Sequence, residues 1–345
     1  MAHELEMDPV TKEIQMFFYG TTPWHGLGQE LVGEKPATAA EAIKLANLSW
    51  RAEKYPAYAR INDKFVRVPG THAVVREDTL NLPDADPTIL TTNGRTVGDQ
   101  YVPLQNVEAF SFFDSIVGDG QAIYHTAGAL RQGDRIWILA KLPQSFSILG
   151  MDDIDPYLLL TNSHNGSSSI QALLTLTRVV CANTLRMAMS SGLREVKIRH
   201  TASAKHNLKE AAELLGIATR SMKEAETVFT DMARVQINSG KLQSYFTDIY
   251  KAPEPGSDGK VPIRTANNYE NRMNTLTSIF ERGSGADLQT TRGTLFGAFN
   301  AVTDYVDHYA RGKDADSRME SVLYGHGDGI KQRAFKIATD NYLVA

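Results

Sequence analysis

Hydrophobic positions change their spacing twice along the chain, and the changes divide it into regions. Residues 1–18 show no sustained period and read as a flexible arm. Thr38 to Leu48 has apolar residues on one face behind a Thr N-cap, the pattern of a short helix. From Trp50 the period drops to two. Trp50–Ile61, Lys64–Arg76 and Ile89–Val97 read as strands, with Asn62-Asp63 and Asn93-Gly94 as turns. Asn106 to Val117 returns to helical spacing. Gln121–Leu130 and Arg135–Leu142 predict a hairpin, and Tyr157–Thr161 and Ile170–Thr177 predict further strands of the sheet. Val179 to Met189 has the spacing of a helix packed on that sheet.

After Arg199 the period is helical throughout: Ala202–Ile237 as one helix or two divided at Gly216, then Leu242–Tyr250, Asn267–Arg282, Leu288–Tyr309 and Ile330–Tyr342. The Pro- and Gly-rich stretch 251–262 is an exposed loop. Grouped strands followed by grouped helices specify an α+β fold rather than a doubly wound sheet. The expected division is a mixed α+β domain over 19–200 and a helical domain over 201–345, with no internal repeat.

Composition narrows the class. A chain of 345 residues that is 42% hydrophobic and 22% charged is globular rather than disordered. A single cysteine, Cys181, excludes an internal disulfide framework and suits a reducing compartment. No run approaches the roughly 20 apolar residues of a membrane helix, and MAHELEMDPV is too acidic and polar for a secretory leader. The expectation is a cytoplasmic protein without a membrane span.

Charge is distributed unevenly. The net charge is −4, yet residues 161–206 carry six cations (Arg178, Arg186, Arg194, Lys197, Arg199, Lys205) against one acid, Glu195. A local reversal of sign is the footprint of an anionic partner, or of a solvated basic face. The polar loop between the two sheet strands, Asn162 to Ser169, adds short hydrogen-bonding groups, His164, Asn165, Ser167, Ser168 and Ser169. From Glu77 to Gln121 the balance inverts: eight acids, among them Asp84, Asp86, Asp114 and Asp119, against Arg95 alone. Acidic and basic surfaces on one protomer allow head-to-tail rings or filaments.

Familiar catalytic signatures do not occur. There is no Walker loop, no H-E-x-x-H and no C-x-x-C, and the Gly26-x-Gly28 pair lacks the third glycine of a dinucleotide fingerprint. Asp152, Asp153 and Asp155 have oxygen ligands for a hard cation, but acids before Pro156 also suit a turn. Gly325–Gly329 precedes a basic helical turn and reads as a phosphate loop or a plain helix start. Trp24, His25, Trp50, Tyr55, Tyr58 and Tyr101 offer stacking faces for unpaired bases, or sheet and core packing. No catalytic residue, metal ligand or cofactor site is assigned.

Several ordered phrases carry a resemblance: Pro-Trp-His-Gly-Leu-Gly at 23–28, Val-Gly-Asp-Gln-Tyr-Val-Pro-Leu-Gln-Asn at 97–106, Thr-Arg-Val-Val-Cys-Ala-Asn-Thr-Leu at 177–185, Arg-His-Thr at 199–201 and Tyr-Gly-His-Gly-Asp-Gly at 324–329. Over roughly residues 15–340 the chain resembles the phage/plasmid-like proteins, a family catalogued as a domain of unknown function. Topologically it looks like the single-strand annealing proteins of the Redβ and Erf kind, which hold single-stranded DNA along a basic groove as rings or helices. The basic window, the absence of a catalytic signature and this likeness together lead to the expectation of a non-catalytic, homo-oligomeric phage or plasmid protein that binds single-stranded DNA in annealing or recombination. Phosphates would be held by Arg178, Arg186, Lys197, Arg199 and Lys205, with backbone or base contacts from His164, Asn165 and Ser167–Ser169. A different class, a module that blocks a host defence through the acidic face, and a third, an unrecognised nuclease, stand beside it.

Overall fold

The computed structural model describes residues 8–13, 15–20, 29–33, 35–36, 38–83, 85–91, 95–114, 117, 120–166, 170–178, 183–185, 195–198, 208–256, 259–310, 312–313, 315–323 and 325–343. Strands dominate the first half and helices the second, an α+β arrangement. The strands are β1 (Met16–Tyr19), β2 (Gln29–Leu31), β3 (Ala52–Ile61), β4 (Lys64–Arg76), β5 (Ile123–Leu130), β6 (Arg135–Lys141), β7 (Phe146–Ile148), β8 (Asp152–Ser163), β9 (Ile170–Arg178), β10 (Asn183–Leu185) and β11 (Glu195–Ile198). The helices are α1 (Ala39–Leu45), α2 (Asn106–Phe110), α3 (Leu208–Arg234), α4 (Ser239–Ile249), α5 (Ile263–Arg282), α6 (Leu295–Asp304), α7 (Ala315–Leu323) and α8 (His326–Ala338). Two compact units interleave along the chain instead of meeting at one boundary. The first comprises 1–143, 157–174 and 193–218; the second comprises 144–156, 175–192 and 219–345.

In the first unit the sheet runs β9-β8-β6-β5-β1-β2, with β11 also on β9. β5 and β6 form an antiparallel hairpin, Leu130 opposite Arg135 and Ala127 opposite Ile138. Ile136 to Ala140 are buried without a break, so this strand is covered on both faces rather than on alternate residues. Thr38 caps α1 by accepting from the Glu41 amide at 3.2 Å, and Ala39, Ala42 and Ile43 turn inward. β3 and β4 form a separate two-stranded sheet.

The second unit is largely helical. α6 is buried on every side, and its Phe296 and Phe299 meet Phe229 of α3 at 5.4 and 5.9 Å between ring centroids. A helix buried all round is a core helix, and Asn300, Thr303 and Asp304 are buried with its apolar residues. A π-helical turn, Tyr305–Tyr309, extends α6. There Asp307 accepts from the Lys331 ammonium of α8 at 2.8 Å, both side chains being buried.

Several expectations need correction. The arm over 1–18 is tied down from Asp8 onward: Asp8, Gln15 and Met16–Phe18 are buried, and β1 pairs with β5. The described residues of Ile89–Val97 form no continuous strand. Ile89 and Val97 each make a single bridge to β4, at Val75 and His72. A helix over Val179–Met189 fails at Asn183–Leu185, which pair with Arg178–Leu176; the unsatisfied edge of β9 outweighs local helical spacing there. The other residues of that stretch, Cys181 among them, lie outside the described residues. Gly216 does not divide α3. Helix α7 is absent from the sequence reading. Of the two readings of Gly325–Gly329, the helix start is the one seen: α8 begins at His326, and a Cβ on Gly327 would lie 2.9 Å from the Ser321 carbonyl. Among the described residues no helix is long and apolar enough to cross a membrane.

Candidate functional site

Two polar regions of the first unit stand out, one buried and one exposed. The buried one joins two stretches singled out in the sequence, Val97–Asn106 and Thr161–Gly166. Asn162 Nδ2 donates to the Leu104 carbonyl at 3.2 Å, and the Tyr101 hydroxyl donates to the Ser163 carbonyl at 3.2 Å. Gly166 has φ +70°, and a Cβ there would stand 3.0 Å from Val97, so both backbone and space call for glycine. His164 Nε2 lies 2.7 Å from Asn106 Oδ1, while Asn106 Nδ2 donates to the Leu48 carbonyl at 2.8 Å. The His164 amide donates to the Asp134 carbonyl at 2.8 Å, and the Asp134 carboxylate accepts from Asn165 Nδ2 at 3.1 Å. Ser163 Oγ donates to Asn165 Oδ1 at 2.6 Å.

Trp50 continues this network toward the N-terminus. Its ring packs on His164 at 5.5 Å between centroids, and the Arg76 guanidinium sits 4.6 Å from its own centre. Arg76 is fully buried and paired with two acids: bidentately with Asp78, 2.8 Å from Nε and from Nη2, and with Asp8 through Nη2. Burial raises the Asp8 carboxyl, but hydrogen bonds from the Thr11 amide, Arg76 and the Val10 amide, together with the Arg76 charge, leave it below the usual carboxylate range.

Two of the expected site residues are buried. His164 and Asn165 are 0% and 5% exposed. The bonds described above hold His164 Nε2 and both polar atoms of the Asn165 amide to groups inside the fold. Ser167, Ser168, Ser169, Arg186, Arg199 and Lys205 lie outside the described residues. Arg178 ends β9 opposite Asn183, and Lys197 lies in β11 opposite Gln171. Asp114 is also spent, accepting from the Ala39 amide at 2.6 Å and the Tyr124 hydroxyl at 2.7 Å. Asp86 is exposed, while Asp84 and Asp119 lie outside the described residues. Asp152 accepts from Thr290 at 2.8 Å and Asp155 from Ser145, which accounts for two of the three clustered acids. Among the described residues no three His, Cys, Asp or Glu side chains are grouped to hold a metal ion.

The exposed region is the β3–β4 hairpin. Asn62 and Asp63 take φ +47° and +61°, the two positive φ values of a type I′ turn, which Asn and Asp tolerate better than other non-glycine residues. The turn fixes the register: Ile61 faces Lys64, Arg60 faces Phe65, Ala59 faces Val66 and Tyr58 faces Arg67. The ladder then breaks between Pro56 and Tyr58, where Val68–Thr71 oppose Ala57 alone, before resuming at Pro56–His72. Directly paired residues share a face and alternate along the strand. One face of the outer ladder therefore carries Tyr58 opposite Arg67 and Arg60 opposite Phe65, an aromatic facing a cation in both direct pairs. The other carries Ala59, Val66, Ile61 and Lys64. Tyr58 and Phe65 are 56% and 75% exposed. Arg60 makes an exposed surface pair with Asp63 at 2.6 Å.

Of the six aromatic candidates, Tyr55 and Tyr58 are exposed on this hairpin. Trp50 is core, Tyr101 braces the Thr161–Gly166 loop, and Trp24 and His25 lie outside the described residues. The sequence reading missed Arg60, Phe65 and Arg67. Pairing outward from Asn62-Asp63 and sorting the pairs by face would have found them.

A family model described as a domain of unknown function, DUF932, matches residues 95–323. The chain belongs to the DUF932 family. The DUF932 match contains Tyr101, Asn106, Asp134, His164 and Asn165 and so most of the buried network, whereas the hairpin at 52–76 precedes it. Neither a curated protein nor a solved structure matches the chain.

Proposed function

We propose that this DUF932 protein is a non-catalytic single-stranded-DNA-binding protein of a phage or plasmid. It acts as a homo-oligomer in annealing or recombination in the cytoplasm of a bacterial host. The observation that supports the reading is the exposed aromatic and arginine face of the hairpin. Every base presents a π-face, so stacking on Tyr58 and Phe65 tolerates any sequence, and it requires bases released from a duplex. Arg60 and Arg67 stand beside those rings, placed to take the phosphates of the same strand. The Arg60–Asp63 pair is exposed and worth at most about 1 kcal/mol, so a phosphate displaces it at little cost. Arg178, Arg186, Lys197, Arg199 and Lys205 stay in the reading as further phosphate contacts. The likeness to single-strand annealing proteins supplies the process, annealing, that such a surface serves.

The test is a salt titration of binding to labelled oligothymidine for the native chain and for Arg60→Glu/Arg67→Glu. Native binding weakens with salt at a log–log slope of about −0.7 per phosphate neutralised, and the double variant loses roughly two phosphates' worth of slope. Native binding without salt dependence, or a variant that binds like the native chain, removes the hairpin from the site.

A further inference from the structure

The second unit gathers hydrogen-bond donors that neither its core nor the hairpin uses. Tyr250 ends α4, its amide donating to the Phe246 carbonyl at 2.9 Å. Its side chain is 8% exposed, and the hydroxyl is buried with no hydrogen-bond partner among the described residues. The Arg272 guanidinium of α5 lies 4.9 Å from the centre of the Tyr250 ring, and its Nε is also buried without a partner there. Arg333 of α8 reaches the same corner, where Nη1 donates to the Ile249 carbonyl at 3.1 Å. Tyr305 opens the π-helical turn and crosses the Tyr250 ring at 78°, 6.0 Å between centroids. Turns of this kind recur at functional sites.

We infer that Tyr250, Arg272 and Arg333 form a binding site for a phosphate group. The site does not rest on strand binding by the hairpin. The hydroxyl and both guanidinium heads are donors, and a phosphate brings the acceptors they lack. The planar fork of a guanidinium matches two phosphate oxygens. The bond to Ile249 holds the Arg333 head in place before a ligand arrives. Neither arginine is paired with a carboxylate among the described residues. No acid stands three or four positions from either along its helix. Acids nearby in the chain are engaged elsewhere. Asp304 lies 3.9 Å from His308, Asp307 accepts from Lys331 at 2.8 Å, and the charge of Asp248 bears on Tyr342. Burial pushes the Tyr250 hydroxyl above the ordinary tyrosine range, and Tyr305 adds to this; Arg272 and Arg333 pull it back. The hydroxyl therefore stays protonated, as a donor, at neutral pH. Arg333 is exposed and Arg272 half-buried, which opens the corner to solvent on the arginine side. Rotation of these long side chains uncovers the hydroxyl.

Calorimetric titration and thermal unfolding of the full chain test the site, with inorganic phosphate against chloride at matched ionic strength and no nucleic acid. Phosphate binds the native chain and raises its melting temperature. Tyr250→Phe, which removes only the hydroxyl, weakens phosphate binding by about tenfold, and Arg272→Gln/Arg333→Gln by more. Arg234→Gln, at an exposed arginine of the same unit, keeps native affinity. Oligothymidine then separates the sources of the phosphate. Displacement of bound phosphate by the oligonucleotide assigns the site to a strand backbone, and phosphate binding unaffected by it assigns the site to free phosphate or a nucleotide. A native chain with neither binding heat nor a rise in melting temperature overturns the inference. So do variants that melt earlier yet keep native phosphate affinity, because the three side chains then only brace the end of α4.

Discussion

The His164 network and the hairpin tip use similar side chains under opposite conditions. Around His164, Asn, Ser, His and Asp are buried, and each is matched by a neighbour at hydrogen-bond distance. At the tip, arginine and aromatic rings stand in water with one exposed ion pair among them. The first arrangement fixes a backbone, because an unsatisfied buried polar group costs about 1–3 kcal/mol and every native partner removes that cost. The second leaves its donors and π-faces for something else. A residue type that is common at binding sites therefore says little until its burial is known.

Substitutions on the two sides should separate stability from binding. The largest effect belongs to Arg76→Met, which leaves Asp8 buried without its guanidinium. Removing one partner of a buried ion pair costs about 3–5 kcal/mol, read as a lower denaturation midpoint. Asn106→Ala strips the partner of His164 and the donor to the Leu48 carbonyl; the expected loss is about 1–3 kcal/mol. For both variants, oligothymidine affinity of the folded fraction stays native. On the hairpin the pattern reverses. Phe65→Ala or Tyr58→Ala weakens oligothymidine binding by about 1–3 kcal/mol, roughly 5- to 150-fold. Neither moves the melting temperature by more than about 0.5 kcal/mol of stability, the usual range for surface changes. A hairpin variant that unfolds the chain, or an Asn106 variant that binds differently while folded, breaks the comparison.

The smallest effect is the pH dependence of the buried pair. The Asp8 carboxyl is lowered in the folded state, so its contribution is present above the ordinary carboxylate pKa and is lost as pH falls through the lowered value. Asp8→Asn should be less stable than the native chain at neutral pH, with the difference shrinking in acid. An equal gap from neutral pH down to strongly acid conditions contradicts this assignment.

Much of the fold was legible in the pattern. Thr38 capped its helix as read, Lys64–Arg76 is a strand over those same residues, and the β5–β6 hairpin lies within the strands expected there. The failures share a cause, tertiary pairing that overrides local spacing. Asn183–Leu185 looked helical but takes the edge of β9, and Ile89 and Val97 looked like one strand but make two separate bridges. The network was half legible. The phrases at 97–106 and the loop after Thr161 were singled out, but sequence cannot show that Asn106 and His164, 58 positions apart, meet in the core. Counting charge pointed to 161–206 and passed over the hairpin, where three cations stand beside exposed aromatics and only register assigns them to faces.

The most direct test of strand binding by the hairpin is photocrosslinking of the full chain to oligothymidine carrying 4-thiothymidine, with the attached peptides mapped by mass spectrometry. Hairpin binding predicts crosslinks at Tyr58 and Phe65, suppressed by high salt. Crosslinks confined to other segments, with the 52–76 peptides unmodified, would contradict it.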